Sequence, residues 1–160
     1  MALAVPPGLR DNARPDCLTP LPPTAMPPKK TSATPCPCGL PKDYADCCGV
    51  YHGGVAAPTA EALMRSRYSA YALGREDYLL TTWHASTRPP DASPDQGIRW
   101  IGLTIKRHET TGDDGAIVEF VARYKIAGRA QRLHEVSRFV RADGRWFYVD
   151  GQVDDEDDRR

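Results

Sequence analysis

Four cysteines that lie within thirteen consecutive positions are the residues of this sequence best suited to chemistry. They form two close pairs, Cys36 with Cys38 and Cys47 with Cys48, and eight residues separate the pairs. Small proteins usually hold a tetrahedral zinc ion with ligands in two such pairs on either side of a short loop. Four thiolates leave the ion no open position, so the sequence predicts one structural Zn²⁺ rather than a catalytic one.

Other interpretations of the same cysteines are weaker. A disulfide needs an oxidising compartment, and adjacent residues such as Cys47 and Cys48 form one only with strain. The spacing of a Cys-x-x-Cys redox centre is absent, and the segment is too rich in proline, glycine and charge for four unrelated core cysteines. Spacing alone leaves the fourth ligand open, because His52 lies four residues after Cys48 and could replace it as a neutral imidazole.

A second set of polar residues falls where the sequence otherwise predicts core. Arg67 lies within the apolar stripe of a predicted helix, and Glu135 and Ser137 share a strand face with apolar neighbours. A buried charge needs a partner or a wet cavity, so we expect Arg67 and Glu135 to lie within salt-bridge reach, or Arg67 to anchor a ligand. The alternative is an arginine whose stem packs while its guanidinium reaches the rim. The expected cavity lining is Arg67, Tyr71, Trp83, His84, Glu135 and Ser137.

Two helices are predicted to carry part of this set. Thr59 can cap a helix that ends at Gly74, and a shorter helix follows at about 76–84. The inward stripe of the first helix, at about 100° per residue, consists of Ala60, Leu63, Met64, Tyr68, Tyr71 and Ala72.

From Ile98 onward the apolar period changes to two, which is typical of β-strands. Ile101, Leu103 and Ile105 are expected to share one face of the first strand. Glycine-containing turns separate four strands and lie at 112–115, 127–128 and 143–144. Two helices followed by an antiparallel meander predict an α+β domain, with the helices on one face of a curved sheet.

Composition limits the possible functions. The 160 residues are 41% hydrophobic and 26% charged, which suits one globular domain with small attachments. The 21 basic and 21 acidic residues cancel, so nucleic-acid binding through Lys29, Lys30 and Lys42 is a weak alternative. No apolar run approaches the ~20 residues of a membrane helix, and no signal-peptide pattern opens the chain. We therefore expect a cytoplasmic protein.

The cysteine segment and the residues after it resemble a known family. The pattern of Cys-x-Cys, then eight residues, then Cys-Cys resembles the SEC-C motif. This motif is the zinc knuckle of the SecA translocation ATPase tail and of many small bacterial proteins. The residues that follow the motif resemble the YchJ-like family more narrowly. The matching parts are the motif, with Pro37, Gly39 and Lys42, and the segments 49–71 and 82–89. The whole similarity runs over about 35–151.

The resemblance implies a fold, a metal ligand and a partner. The main domain of that family resembles the nuclear transport factor 2-like fold, a cone of bent sheet closed by helices that often leaves a cavity at its wide end. The family has Cys or His at the position of Cys48, which favours Cys48 over His52 as the fourth ligand. By resemblance to the SecA tail, the knuckle surface is expected to dock a protein. The candidate contact residues are Lys42, Tyr44, Val50 and Tyr51.

The predicted organisation has four parts. These are a disordered Pro-rich lead at 1–34, in which Met26 is a candidate start, a zinc knuckle at 35–54, an α+β domain at 55–153 and a charged tail at 154–160. We expect a cytoplasmic zinc-binding adaptor, and no catalytic residue is assigned because the sequence contains none of the familiar catalytic motifs. The alternative is a small-molecule-binding protein or an enzyme that uses the cavity around Arg67, His84 and Glu135.

Overall fold

The structure is a computed structural model and describes residues 33–154. The predictions for the Pro-rich lead, for Met26 as a start and for the charged tail lie outside the described residues, apart from 33–34 and Asp154. The cysteine segment and the α+β domain belong to one compact unit. The elements in chain order are a 3₁₀ turn at Tyr44–Asp46, α1 at Cys48–His52, α2 at Ala60–Leu73, α3 at Glu76–Thr81, β1 at Ile98–Thr110, β2 at Gly115–Ile126, β3 at Arg129–Ala142 and β4 at Arg145–Val153.

Helix α2 has the bounds that its capping residues predict. The hydroxyl of Thr59 accepts a hydrogen bond from the backbone N–H of Ala62 at 3.1 Å, and the helix ends at Gly74, whose φ is 70°. A positive φ at the position after a helix suits glycine, which has no Cβ to clash with the last turn. Local signals were therefore sufficient to define this helix.

The burial of α2 is wider than the predicted stripe. Ala60, Leu63, Met64 and Tyr68 are buried as expected, and Ala72 is exposed. Three further residues, Ser66, Ser69 and Ala70, have no measurable exposure. The cysteine segment packs on a second face of the helix, where Cys36 Sγ lies 3.8 Å from Ser69 Oγ. The hydroxyl of Ser66 lies 2.7 Å from that of Tyr78 on α3.

Helix α3 is shorter than predicted, and Trp83 and His84 do not belong to it. The helix ends at Thr81 with Thr82 as its C-cap, and the next residue, Trp83, forms an isolated parallel bridge with Tyr148 of β4. The N–H of Tyr148 donates to the carbonyl of Thr82 at 2.9 Å, and the N–H of His84 donates to the carbonyl of Tyr148 at 2.7 Å. Backbone groups that a longer helix would have satisfied are thus satisfied by the sheet.

The four strands form an antiparallel meander in the order β1-β2-β3-β4. Two of its hairpins turn over two residues with positive φ, at Ala127 and Gly128 (49° and 78°) and at Asp143 and Gly144 (52° and 75°). Such turns match the right-handed twist of the strands that they join. Helix α2 packs against β1, β2 and β4, so the α+β prediction, with helices on one face of a curved antiparallel sheet, is confirmed.

The inward face of β1 differs from the predicted one. Trp100 pairs with Tyr124 and Gly102 pairs with Arg123, which leaves Ile101 as the extra residue of a bulge. A bulge shifts the alternation of side chains by one position. Consequently Trp100, Leu103 and Ile105 pack against the core, while Ile101 is 42% exposed.

None of the helices within residues 33–154 has the length and hydrophobicity that crossing a bilayer requires.

The bulge in β1 leads to a prediction about stability that a strict alternation along the strand would not give. Ile101→Ala should lower the free energy of unfolding by only about 1 kcal/mol, because the side chain is 42% exposed and lies outside the core. Phe139→Ala, at a position that is 1% exposed, should cost about 3–5 kcal/mol. Urea unfolding of both variants measures the two costs. Equal costs would contradict the bulge.

Candidate functional site

The four cysteines of the motif converge on one point. Their Sγ atoms all lie within 4.8 Å of one another, and those of Cys38 and Cys47 are 3.6 Å apart. A zinc ion with Zn–S bonds of about 2.3 Å separates its sulfur ligands by about 3.8 Å when the site is tetrahedral. The cluster therefore has the size and the donor set of a four-thiolate metal site.

Two short backbone structures bring the cysteine pairs together. Residues 35 and 43 form an isolated antiparallel bridge, and the N–H of Cys36 donates to the carbonyl of Lys42 at 3.0 Å. Within this loop the N–H of Gly39 donates to the carbonyl of Cys36 at 3.2 Å, with a φ of 82° at Gly39. The second pair stands at the start of α1, where the N–H of Cys47 donates to the carbonyl of Tyr44 at 3.1 Å.

The electrostatics of the cluster favour a bound cation. A hydrogen bond from the thiol of Cys48 is the main reason that the pKa of Cys38 falls to about 5, and the backbone N–H of Leu40 contributes. Burial raises the pKa of Cys47 to about 11, and the hydrogen bond to Cys38, followed by burial, raises the pKa of Cys48. The first cysteine loses its proton readily, and the negative charge of the resulting thiolate opposes deprotonation of the next cysteine. A cation at the centre removes that opposition.

The knuckle, residues 35–54, is fastened to α2 by polar contacts as well as by packing. Arg65 Nη1 donates to the carbonyl of Cys38 at 3.2 Å, and Glu61 holds the same side chain through Arg65 Nε at 3.0 Å. One arginine thus links the cysteine loop to the helix.

His52 is a second fastening and is engaged at both ring nitrogens. Nδ1 lies 2.7 Å from the hydroxyl of Tyr44, and Nε2 lies 2.8 Å from the carbonyl of Ser66. A carbonyl can only accept, so Nε2 carries the proton and Nδ1 accepts from Tyr44. The imidazole is therefore committed to α2, and the sulfur cluster contains Cys48 in its place.

A cavity of about 250 Å³ lies between α2 and the inner face of the sheet. Of the six residues expected to line it, Arg67, Tyr71, Glu135 and Ser137 do so. The other lining residues are Met64, Tyr68, Trp100, Phe120, Ala122, Leu133 and Tyr148. The alternation along β2 and β3 indicated several of these, whereas Trp100 needed the bulge of β1 to be known.

Trp83 and His84 are not part of the lining, which corrects the prediction for both. The chain at Trp83 pairs with β4 at Tyr148, and the Trp83 ring packs on the Arg67 guanidinium without reaching the cavity wall. The Trp83 ring meets the Tyr148 ring edge-on, with centroids 5.0 Å apart. The Nδ1 atom of His84 lies 2.6 Å from the hydroxyl of Ser86, as in a residue that organises a loop.

The predicted ion pair between Arg67 and Glu135 is wrong. Arg67 Nη1 donates instead to the carbonyl of Leu79 at 2.8 Å and to the hydroxyl of Thr82 at 2.7 Å. Its Cζ atom lies 5.0 Å from the centroid of the Trp83 ring and 4.6 Å from that of the Tyr148 ring. Aromatic faces and neutral oxygens stabilise the cation where a carboxylate was expected.

Glu135 has its own partners on the opposite wall. Its Oε1 atom accepts hydrogen bonds from the hydroxyl of Ser137 at 2.7 Å and from that of Tyr148 at 3.1 Å. Gly151, on β4, leaves the room that this carboxylate occupies, because an added Cβ there would overlap Oε1. Burial, and then the charge of Glu135, raise the pKa of Tyr148.

The predicted docking residues differ in accessibility. Lys42 is exposed, as is Val50, whereas Tyr44 is half-buried against His52 and Tyr51 packs against the core. Leu40 and Val55 are exposed neighbours that the sequence interpretation did not include. The accessible surface, called the knuckle patch below, consists of Leu40, Lys42, Val50 and Val55.

Known proteins share this arrangement. The family model of the YchJ middle NTF2-like domain matches residues 59–151. A UPF0225 protein of Methylibium petroleiphilum is 58% identical over 131 residues, which are 81% of this chain and 96% of that protein. A UPF0225 protein of Bordetella pertussis is 53% identical over 131 residues, which are 78% of this chain and 98% of that protein.

Two solved structures are also similar. The solution structure of a SEC-C motif containing protein from Rhodopseudomonas palustris has 35% identity and a TM-score of 0.68, and the match covers 76% of this chain and all of that one (100%). The crystal structure of a SEC-C motif containing protein from Psychrobacter arcticus has 30% identity and a TM-score of 0.62, with 77% and 84% of the two chains covered.

The contacts of His52 predict a pH dependence of stability. Burial lowers the pKa of His52 below 6.5 in the folded protein, against a smaller opposing effect of the Ser66 carbonyl. Above about pH 6.5 the imidazole of His52 is neutral in both the folded and the unfolded protein. As the pH falls below that value, the unfolded chain takes up a proton at His52 before the folded protein does. The stability that the neutral imidazole contributes is therefore lost as pH falls through the folded pKa.

Urea unfolding at several pH values between about 7.5 and 5.5 tests this dependence. The wild type should lose up to about 1.4 kcal/mol per pH unit more than His52→Gln, since the variant has no group to titrate there. Both proteins contain the same thiols, so the difference isolates His52. Parallel curves would contradict the lowered pKa of His52 in the folded protein.

Proposed function

Because the chain belongs to the YchJ family, whose middle domain has the NTF2-like fold, we propose that it is a cytoplasmic zinc-binding adaptor. The zinc ligands are Cys36, Cys38, Cys47 and Cys48, and the metal is structural. The observation that carries the proposal is the convergence of four sulfur atoms within 4.8 Å in a segment whose regular structure is one 3₁₀ turn and one five-residue helix. The SEC-C motif in the names of two similar structures supports it.

A structural role follows from the coordination. Four thiolates complete a tetrahedron and leave no position for water or substrate. The knuckle contains little apolar surface of its own, and metal binding supplies the folding free energy that its loops lack. The ion thereby sets the position of the knuckle patch relative to α2.

The adaptor role rests on the knuckle patch. Leu40, Val50 and Val55 are exposed apolar side chains, and Lys42 adds a positive charge beside them. Exposed apolar residues around a charged one are typical of the contact surface for a short protein segment. We therefore propose a protein partner with apolar and acidic residues, and no nucleic acid.

The metal assignment has a direct test. Purified protein should contain about one zinc ion per chain by elemental analysis. Cys48→Ala should lose most of the metal under mild chelation, because three thiolates hold zinc more weakly than four. His52→Ala should retain it, because both imidazole nitrogens have other partners. Zinc loss from His52→Ala, with retention by Cys48→Ala, would reverse the assignment.

The adaptor role has a separate test. Val50→Asp should abolish capture of the partner in pull-down experiments read by mass spectrometry, because a carboxylate in place of this apolar side chain must be desolvated on binding. Cys47→Ser should abolish it as well, through loss of the metal. Arg132→Asp, an exposed position on β3, is the matched control. A protein captured equally by Val50→Asp, with zinc retained, would exclude the knuckle patch as its docking site.

A further inference from the structure

The cavity beneath α2 contains a positive and a negative side chain that do not pair with each other. Arg67 is 2% exposed and Glu135 lies on the opposite wall. Burial lowers the pKa of Arg67, and the charge of Glu135 is among the weaker effects that oppose this lowering. The two groups thus interact through space across the cavity without a salt bridge.

One edge of the Arg67 guanidinium faces the cavity. Nη1 uses its hydrogens on Leu79 and Thr82. Within residues 33–154, Trp83 Nε1 is the only fully buried side-chain nitrogen or oxygen without a hydrogen-bond partner, so Nε and Nη2 of Arg67 reach the cavity or a polar group that lines it. That polar group is the hydroxyl of Tyr71, which is within hydrogen-bonding reach of the Arg67 side chain and also lines the cavity.

The edge of Arg67 formed by Nε and Nη2 favours one class of ligand. The N–H groups of Nε and Nη2 are parallel, and this fork matches the two oxygens of a carboxylate. The plane of the guanidinium is fixed by its hydrogen bonds to Leu79 and Thr82 and by the rings of Trp83 and Tyr148. Arg67 is therefore a preorganised receptor for an anionic group that enters the cavity.

The opposite wall prefers a cation. Oε1 of Glu135 is saturated by Ser137 and Tyr148, and Oε2 accepts none of the recorded hydrogen bonds. Gly151 fixes the carboxylate by leaving it a single recess between β3 and β4. A group with N–H donors and a positive charge would satisfy Oε2.

We infer that the cavity binds a free α-amino acid with an apolar side chain, whose carboxylate contacts Arg67 and whose ammonium group contacts Glu135. Its side chain would lie among the apolar walls formed by Met64, Tyr68, Trp100, Phe120 and Leu133. The volume of about 250 Å³ is just below the roughly 300–1,000 Å³ of ordinary ligand pockets, which suits a ligand of this size. This site is separate from the metal centre and does not depend on the adaptor role.

Other ligand classes match the cavity less well. A simple anion would satisfy Arg67 and would be repelled by Glu135, and a simple cation would have the reverse problem. A purely apolar molecule would bury both charges without partners, which is costly. Only a zwitterion complements both walls at once.

Isothermal titration calorimetry of the full-length, zinc-loaded protein tests the inference. The probes are L-phenylalanine, L-leucine and L-tryptophan, each beside its analogue without the amino group and its analogue without the carboxyl group. At least one amino acid should bind, and both of its analogues should bind at least about tenfold more weakly. No binding of any of the three at about 10 mM would overturn the inference.

Variants assign the two contacts. Glu135→Gln should weaken amino-acid binding at least about tenfold and leave binding of the deaminated acid unchanged or stronger, because the repelling charge is gone. Arg67→Met should abolish binding of both. Arg132→Met, exposed on β3, should match the wild type. If Arg67→Met fails to fold, the change of ligand preference in Glu135→Gln still decides the matter.

Three further outcomes would overturn the inference. They are equal affinity for an amino acid and its deaminated analogue in the wild type, an unchanged preference in Glu135→Gln, and equal loss of binding in Arg132→Met. Equal binding of a neutral amide such as phenylacetamide would indicate hydrogen-bond recognition without charge and would also overturn it.

Discussion

The burial of α2 on two sides is the constraint on which the rest of the structure depends. On one side the helix presents large apolar residues to the sheet, including Leu63 and Tyr68. On the other it presents the buried Ser69, which contacts Cys36 of the cysteine segment, and the buried Ser66, which contacts Tyr78 of α3. Without this division a chain of this size would hold the metal site and the sheet as two loosely joined parts. With it, one helix fixes the orientation of both.

The same division separates two arginines that are close in sequence. Arg65 reaches the cysteine loop, whereas Arg67, two residues later, points between α3 and the sheet. Residues two apart on a helix lie on nearly opposite faces. The cysteine cluster and the cavity therefore share a supporting element, and no side chain belongs to both.

Features that neighbouring residues determine could be predicted from the sequence. Features that depend on contact with a distant segment could not. Thr59 and Gly74 define α2 by capping chemistry alone, and the positive φ values at 127–128 and 143–144 follow from the turn sequences. The burial of Ser69 and the exposure of Ile101 depend on the knuckle and on a bulge, which periodicity cannot register. The inward direction of Arg67 was predictable. Its choice of carbonyl, hydroxyl and aromatic partners over a carboxylate was not, because these partners come from the end of α3 and from β4, which only the folded chain brings together.

The pairing of residues 82–84 with β4 has a consequence for the order in which the protein is made. Synthesis proceeds from the N-terminus, so the knuckle, α2 and α3 leave the ribosome well before the last strand. Until Tyr148 has emerged, the carbonyl of Thr82 has no sheet partner and the guanidinium of Arg67 has only one of its two rings. The nascent chain must therefore keep a hydrated arginine on α2 through most of its synthesis. The final strand completes the interior in a single late step, and a chain truncated before β4 would leave that charge and its apolar surroundings open to water.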